Sequence, residues 1–106
     1  MRDNSGGFRV VQTAEFATWL DRLRDPIAQA RIASRIRRAE LGNLGDWKQL
    51  GGRIAELRIG HGPGYRVYFA WHGGQLVLLL AGGDKSSQRR DIATARALLD
   101  RIGDLA

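Results

Sequence analysis

The first half of the chain places apolar residues at helical spacing in two successive segments. The first segment follows Thr13, a good N-cap residue, and the second follows Asp25 and Pro26, which favour a helix start. The first apolar stripe comprises Phe16, Trp19, Leu20 and Leu23. The second comprises Ile27, Ala28, Ile32, Ile36 and Ala39. The pattern predicts two helices, the second ending near residues 41–42 with Gly42 or Asn43 in a left-handed cap.

From residue 53 onward the apolar period changes to two. Alternation predicts strands at 53–59 and 65–71, joined by the glycine-rich turn 60–64. The wholly apolar run 76–81 predicts a central strand, and a short β-rich stretch at 8–12 predicts an edge strand. Because the alternating strands have one apolar and one polar side, we expect helices to pack on one face of the sheet only.

A last amphipathic segment begins at Ser86 or Ser87 and predicts a C-terminal helix. Its apolar stripe comprises Ile92, Ala95, Leu98, Leu99 and Ile102. Residues 42–52 are rich in turn formers and predict a connecting loop. The order β-α-α-β-β-β-α predicts a single α+β domain over 1–106, with a flexible tail at 1–7 and a small, mainly antiparallel sheet packed by the three helices.

The net charge of the chain limits the classes of binding partner that we expect. The chain carries 17 Lys and Arg against 11 Asp and Glu, a net charge of +6, and nearly all of the cations are Arg. Arg binds phosphate through two parallel hydrogen bonds and stacks on bases, which Lys does not do. The excess favours a nucleic acid or an acidic protein as partner, although an Arg preference of the genome gives the same composition.

Other composition features exclude several classes of site. The chain has no cysteine, so it holds neither a disulfide nor a thiolate metal site. No apolar run approaches the length of about 20 residues that crosses a bilayer. The first seven residues lack the apolar core of a signal peptide, so a cytoplasmic location is expected.

The polar side of the sheet is the first candidate for chemistry. Pairing of the strands 53–59 and 65–71 places Arg58 beside Arg66, and two adjacent guanidinium groups repel unless an anion lies between them. A phosphate fits this position, and so does the carboxylate of Glu56. On the same side, Tyr68 offers a stacking surface and a titratable hydroxyl.

The segment 82–88 is the second candidate, because glycines there precede a helix start and Lys85 adds a positive charge. It lacks the spacing of a Walker A loop, and a capped helix start after a glycine turn is the alternative. Two histidines without cysteine or clustered carboxylates do not indicate a metal site, although His61 can serve as general acid or base. A stripe of Arg31, Arg35 and Arg38 on the second helix is either a solvated face or a phosphate contact.

Three motifs resemble one protein family. They are ELRI at 56–59, GPGYRVYF at 62–69 and LLAGGDKSSQ at 79–88 followed by Asp91 and Ile92. Together with Thr13-x-x-Phe16-x-x-Trp19-Leu20 and the GN-x-GD run at 42–46, they resemble the addiction module killer branch of the RelE/ParE toxins, which is close to the HigB and phage Gp49-like toxins. The resemblance covers about residues 8–102.

The resemblance implies a RelE/ParE-like fold and the toxin half of a type II toxin–antitoxin pair. Many members cut mRNA on the ribosome without a metal or cofactor, through attack of the RNA's own 2′-hydroxyl on the adjacent phosphate. Others of the ParE type inhibit DNA gyrase and cut nothing, and a member that only binds antitoxin is a third alternative. The expected partners are mRNA on the ribosome and an adjacently encoded antitoxin of HigA type, in an oligomeric assembly.

The resemblance also implies roles for particular residues. Arg58, Arg66, Tyr68 and Lys85 are the expected catalytic residues, with His61 or Asp84 as a further acid or base. The tyrosine that RelE carries in its last helix falls near Asp91 here, and no tyrosine follows Tyr68, so the general base is not evident. The expected contacts to RNA are Lys48, Arg53, Gln88, Arg31, Arg35 and Arg38.

Overall fold

The computed structural model of the protein describes residues 7–73 and 76–103, so most of the expected N-terminal tail lies outside the described residues. Five strands and three helices follow one another in these residues. The strands are β1 (Arg9–Gln12), β2 (Trp47–Gly51), β3 (Ile54–Ile59), β4 (Tyr65–His72) and β5 (Leu76–Gly83). The helices are α1 (Ala14–Arg22), α2 (Pro26–Glu40) and α3 (Gln88–Ile102), with a 3-10 turn at Lys85–Ser87 before α3.

The strands form one mixed sheet in the order β1-β5-β4-β3-β2. β1 runs parallel to β5, whereas β5, β4, β3 and β2 pair antiparallel. The apolar run of β5 is therefore flanked on both sides, and β1 lies at the edge, as the sequence predicts. The α+β class and the mainly antiparallel sheet are confirmed.

Helix starts follow the capping chemistry of the sequence. The hydroxyl of Thr13 accepts a hydrogen bond from the Phe16 amide at 3.0 Å, and Asp25 accepts one from the Ala28 amide at 3.1 Å. Each of these bonds satisfies an amide that has no partner within its helix. At the end of α2, Gly42 has a φ of 99°, the left-handed conformation expected there.

The expectation of a plain loop at 42–52 is wrong, because this segment contains β2. Trp47 and Lys48 pair with Leu57 and Glu56 of β3, and the register shifts between Gln49 and Gly51. Gly51 and Gly52 have φ values of 126° and 58°, which a tight turn into β3 requires. The glycines that suggested a loop in fact bound a short edge strand, and the strand count rises by one.

α1 and α2 cover one face of the sheet. The side chains buried between the helices and the sheet include Phe16, Ile32, Leu57, Val67 and Phe69. Trp19 and Leu20 of α1 are partly buried against the same cluster. This layer agrees with the apolar stripes that predict the two N-terminal helices.

The expectation of helices on one face only is wrong, since α3 covers the opposite face. Tyr68 and Leu80 are fully buried there with Ala95 and Leu98 of α3. The strands carry apolar residues on this face as well, in Ile54, Tyr68, Ala70, Leu78 and Leu80. The polar residues of the alternation therefore lie at the margin of a second apolar layer rather than on an open surface.

Candidate functional site

The two arginines predicted to lie side by side do so. Arg58 of β3 is directly opposite Arg66 of β4, and Arg66 is in turn opposite Gly83 of β5. Directly paired residues of antiparallel strands have their side chains on the same face, here the face that α3 covers. We refer to Arg58 and Arg66 as the arginine pair.

The carboxylate of Glu56 lies between the two guanidinium groups. One oxygen, Oε2, is 2.8 Å from Arg58 Nε and 3.8 Å from Arg66 Nε. The other, Oε1, accepts a hydrogen bond from Gln88 Nε2 at 3.3 Å. Glu56 is only 1% exposed, so the alternative in which it bridges the arginines is the one seen in the structure.

The two arginines differ in exposure and in free donors. The Arg58 side chain is 37% exposed, and its hydrogen bond to Glu56 raises the pKa of the guanidinium. The Arg66 side chain is 13% exposed, and its Nη1 donates to the carbonyls of Gly64 and Tyr65 at 3.2 Å each. Arg66 Nε is buried and has no hydrogen-bond partner within the described residues.

Tyr68 lies directly opposite Glu56 in the sheet and is fully buried in the apolar layer under α3. Its hydroxyl finds no hydrogen-bond partner in the described residues. Burial first, and then the negative charges of Glu56 and Asp91, raise the pKa of Tyr68 well above its usual range. The ring therefore offers no exposed face for a base to stack on, which corrects the expectation of a stacking surface. Proton transfer by Tyr68 stays a prediction.

Lys85 comes close to Arg66 across the turn that joins β3 and β4. A Cβ built on Gly64 would lie 3.5 Å from both Arg66 Nη1 and Lys85 Cδ, and Gly64 has a φ of 83°. Gly64 therefore allows both a left-handed turn and the approach of two cationic side chains. Lys85 is exposed, so the site presents its ammonium group and part of Arg58 to solvent.

The two glycines of the 82–88 segment serve helix packing. A Cβ on Gly82 would lie 2.2 Å from the Trp19 ring of α1, and one on Gly83 would lie 1.7 Å from Asp91 Oδ2 of α3. Both glycines end β5 and make room for a helix on each face of the sheet. This corrects the view of the glycines as part of an open anion-binding bend.

The start of the 3-10 turn is already occupied by a carboxylate. Asp84 Oδ1 accepts a hydrogen bond from the Ser86 amide at 2.8 Å and one from the Ser86 hydroxyl at 2.5 Å. These bonds lower the pKa of Asp84, so its carboxylate is a weak base. Lys85 remains exposed at this turn, whereas the amide that would bind an anion is in use.

His61 is held by a partner of its own. Its Nε2 lies 3.1 Å from Asp25 Oδ2, and its ring stacks on Tyr65 with centroids 6.5 Å apart. The backbone hydrogen bond from Ala28, together with the contact to His61, lowers the pKa of Asp25. His61 thus ties the β3–β4 turn to the start of α2, and its role as acid or base stays a prediction.

The arginine stripe on α2 divides into two kinds of residue. Arg35 donates to the carbonyls of Leu44 and Asp46 at 2.9 Å each and also to that of Arg58. Through these three hydrogen bonds, Arg35 holds the 41–46 loop against β3. Its partial burial lowers the pKa of the guanidinium. Arg31 and Arg38 are exposed and line a groove of about 310 Å³ beside Arg35.

The remaining predicted RNA contacts lie at different distances from the arginine pair. Lys48 is exposed on β2, directly opposite Glu56. Gln88 reaches the pair through its bond to Glu56. Arg53 donates to the Trp71 carbonyl at 3.1 Å, and it precedes β3 while Arg58 lies near the end of that strand. Five residues of strand separate them by about 16 Å, so Arg53 is not part of the same cluster.

Asp91 is a site residue that sequence reasoning named only as a departure from RelE. Its Oδ2 accepts a hydrogen bond from Ser87 Oγ at 2.5 Å, and its side chain packs against Gly83. A groove of about 320 Å³ beside it is lined by Trp19, Leu23, Tyr65, Gly82, Gly83, Asp84, Ser87, Arg90 and Asp91. The four-residue spacing of Ser87 and Asp91 at a helix start was the available signal for this contact.

Among residues 7–73 and 76–103, no group of three or more His, Asp or Glu side chains is arranged to hold a metal ion. In the same part of the chain, no helix is both long enough and apolar enough to cross a bilayer.

Comparison with known proteins assigns the family. The phage-derived protein Gp49-like family (DUF891) matches residues 18–102, which include both arginines, Lys85 and all of α2 and α3. The chain belongs to the Gp49-like family. An uncharacterized protein of Haemophilus influenzae is 45% identical over 95 residues, which cover 90% of this chain and 96% of the relative. The Gp49-like assignment thus spans every element that positions the candidate site except β1 and the start of α1.

Proposed function

We propose that the protein is the toxin of a type II toxin–antitoxin pair and that it cleaves mRNA on the ribosome without a metal ion. The Gp49-like family is a type II toxin family, and membership supports the toxin assignment. The observation that carries the nuclease proposal is the cross-strand pair Arg58 and Arg66 with Lys85 beside it. Three cationic groups at one end of a sheet can stabilise the negative charge that develops on a phosphate in the transition state.

In the proposed reaction the RNA supplies its own nucleophile. The 2′-oxygen forms a bond to phosphorus while the bond from phosphorus to the 5′-oxygen of the next nucleotide breaks. The arginine pair stabilises the negative charge on the non-bridging oxygens, and Lys85 gives a proton to the departing 5′-oxygen. The products are a 2′,3′-cyclic phosphate and a 5′-hydroxyl.

The proton of the 2′-hydroxyl needs an acceptor, and this requirement supports a role for the ribosome. Among the predicted acid–base residues, Tyr68 is buried with a raised pKa and Asp84 has a lowered pKa. His61 is bonded to Asp25. Arginine stays protonated at all working pH values and accepts no proton. We propose that the ribosome, by orienting the mRNA, supplies or activates the acceptor.

Other basic residues are proposed to hold the RNA along its backbone. Arg31 and Arg38 line an open groove, and Lys48 is exposed on β2, directly opposite Glu56. Contacts of this kind add affinity that falls as salt rises. We extend the same role to Gln88 and Arg53, with Arg35 acting indirectly through its clamp on the backbone of Arg58.

The net charge of +6 also suits an acidic antitoxin. We propose that a separately encoded antitoxin of HigA type neutralises the protein in an oligomeric complex in the cytoplasm. Lowered affinity at raised salt is the expected signature of such a complex.

The test is growth arrest combined with primer extension on cellular mRNA after expression of the protein. Wild type is expected to stop growth and to produce new mRNA 5′ ends, and Arg66→Ala is expected to produce neither. Arg37→Ala, which removes an exposed arginine of α2, is the matched control and is expected to behave as wild type. Unchanged cleavage by Arg66→Ala, or none by wild type, would contradict the proposal.

A supercoiling assay with purified gyrase distinguishes the ParE-like alternative. The mRNA endonuclease proposal predicts full supercoiling activity in the presence of the protein. Stalled gyrase–DNA complexes, together with intact mRNA, would favour the gyrase inhibitor instead.

A further inference from the structure

We infer that Glu56 is a positioning residue that sets the charge and geometry of the arginine pair for its anion. This inference rests on the proposed function for the identity of that anion, the RNA phosphate. Glu56 is 1% exposed and therefore does not reach the RNA itself. It acts through the two arginines on either side of it.

The contacts of Glu56 account for both carboxylate oxygens. Oε2 receives Arg58 Nε at 2.8 Å and faces Arg66 Nε at 3.8 Å, while Oε1 receives Gln88 Nε2 at 3.3 Å. The carboxylate thus draws together one residue from β3, one from β4 and one from α3. Burying a charge without such partners is costly, so the cluster is fixed as a unit.

Charge explains why a carboxylate is needed at this place. Arg58 and Arg66 are direct cross-strand partners, and like charges in that relation repel. Glu56 cancels one of the two positive charges and leaves one net positive charge facing the site. The arginines can then lie side by side before any RNA arrives, which is the preorganisation that charge stabilisation requires.

Glu56 holds the two arginines unequally, because Arg66 Nε faces its carboxylate without a hydrogen bond. Arg66 Nε is buried, has no hydrogen-bond partner in the described residues and lies beyond hydrogen-bond distance from Glu56. A buried donor without a partner is unfavourable, and native structures contain few of them. Because Arg66 Nε is shielded from solvent and faces Glu56, it does not reach the RNA, and the 37% exposed Arg58 is the more accessible arginine of the pair.

A purely structural role and a positioning role predict different results for Glu56→Gln. This substitution keeps the side-chain volume but removes the negative charge between the arginines. Net positive charge at the site rises, so RNA binding becomes tighter even as the geometry is lost. If Glu56 only stabilises the fold, the variant is expected to lose binding and cleavage together, in proportion to the loss of folded protein.

The experiment measures binding and cleavage separately. Binding uses a short fluorescein-labelled RNA with 2′-O-methyl sugars, which lacks the attacking hydroxyl, over a range of salt concentrations. Glu56→Gln is expected to bind about threefold tighter at low salt and to steepen the salt slope by about 0.7. Its cleavage rate on saturated ribosome complexes is expected to fall about tenfold to 100-fold.

Two variants serve as controls. Glu40→Gln removes the same charge from an exposed position at the end of α2 and is expected to keep the wild-type cleavage rate at saturation. Glu56→Asp keeps the charge but shortens the side chain, so it is expected to keep the wild-type salt slope and to recover part of the rate. Wild-type affinity and salt slope in Glu56→Gln, or its wild-type cleavage rate, would overturn the inference.

A measurement on the wild-type protein covers the case in which Glu56→Gln does not fold. The Nε–H signals of Arg58 and Arg66 in NMR spectra are expected to exchange slowly and to shift together when the 2′-O-methyl RNA is added. Rapid exchange of both signals, or no shift on addition of RNA, would overturn the inference. If wild type cuts no RNA on ribosomes, the proposed function fails, and the binding measurements still decide the role of Glu56.

Discussion

At the scale of single residues, the site combines two arginines with a tyrosine on the same face of the sheet. Tyr68 is fully buried and its hydroxyl has no hydrogen-bond partner in the described residues. Its raised pKa keeps the hydroxyl protonated at neutral pH. The family resemblance marks Tyr68 as catalytic, whereas its position fits a support for the strand that carries Arg66.

Tyr68→Phe separates these two roles. Because the substitution removes a buried hydroxyl without a partner, we expect the free energy of unfolding to stay the same or rise by up to about 1 kcal/mol. We expect cleavage on ribosomes to stay within about twofold of wild type. Urea unfolding and a cleavage time course check both values, and a large loss of cleavage with unchanged stability would assign Tyr68 to proton transfer.

Part of this site could be predicted from the sequence alone. Alternation in the two strands placed Arg58, Arg66 and Tyr68 on one face, and the register confirms that placement. The burial of this face could not be predicted in the same way. Alternating polar residues are equally typical of a solvent-exposed sheet face and of the margin of a face that a helix covers. The hydrogen bond from Gln88 to Glu56 depends on α3, whose docking is not encoded in the local pattern.

At the scale of elements, two adjacent glycines at the end of β5 let helices pack on both faces of the sheet. Gly82 receives the Trp19 ring of α1, and Gly83 receives Asp91 of α3. Trp19 is far from Gly82 in the sequence. The glycine pair at 82–83 therefore resembles a loop signal when only the adjacent residues are considered. Glycine here serves close approach rather than a special backbone angle.

Gly82→Ala tests this explanation. A Cβ at Gly82 would lie 2.2 Å from the rigid Trp19 ring, so α1 or β5 has to shift. We expect the free energy of unfolding to fall by about 1–3 kcal/mol, measured by urea unfolding. Gly60→Ala is the control, because nothing lies within 4 Å of its Cβ, and an equal effect of both substitutions would contradict the explanation.

The start of α2 gives a prediction for acid. The pKa of Asp25 is lowered in the folded protein, chiefly by its hydrogen bond from the Ala28 amide and also by His61. Such a group contributes stability above its unfolded pKa, and the contribution is lost as the pH falls through the folded value. The loss is therefore expected below about pH 4.

Asp25→Asn keeps the cap but removes the charge. We expect its urea midpoint to fall less between pH 5 and pH 3 than that of wild type, whereas Asp21→Asn, at an exposed position of α1, is expected to follow wild type. Equal acid sensitivity of Asp25→Asn and wild type would show that the charge of Asp25 does not contribute to the pH dependence of stability.

At the scale of the whole molecule, periodicity predicted the three helices and the order of four strands. The missing strand, β2, is short and ends at glycines, so its sequence resembles a loop until β3 is present to pair with it. The second helical layer was missed because Glu56 and Arg58 suggested solvent, although Tyr68 and Leu80 on the same face are buried. Tertiary pairing decided both features.

The cations that we propose to act on RNA lie mainly in one cluster and one groove. Arg58 and Arg66 lie near the joined ends of β3 and β4, and Lys85 lies in the 3-10 turn before α3. Arg31 and Arg38 line the groove beside α2. Arg35 links the two regions by binding the carbonyl of Arg58. This arrangement suits a long, single-stranded polyanion better than a compact anion.

The most direct test uses purified protein, programmed ribosomes and an end-labelled mRNA, with analysis of the new ends. Wild type is expected to release fragments with a 2′,3′-cyclic phosphate and a 5′-hydroxyl, and Arg66→Ala is expected to release none. Intact mRNA with wild type, or equal cleavage by Arg66→Ala, would contradict the assignment of the arginine pair to RNA cleavage.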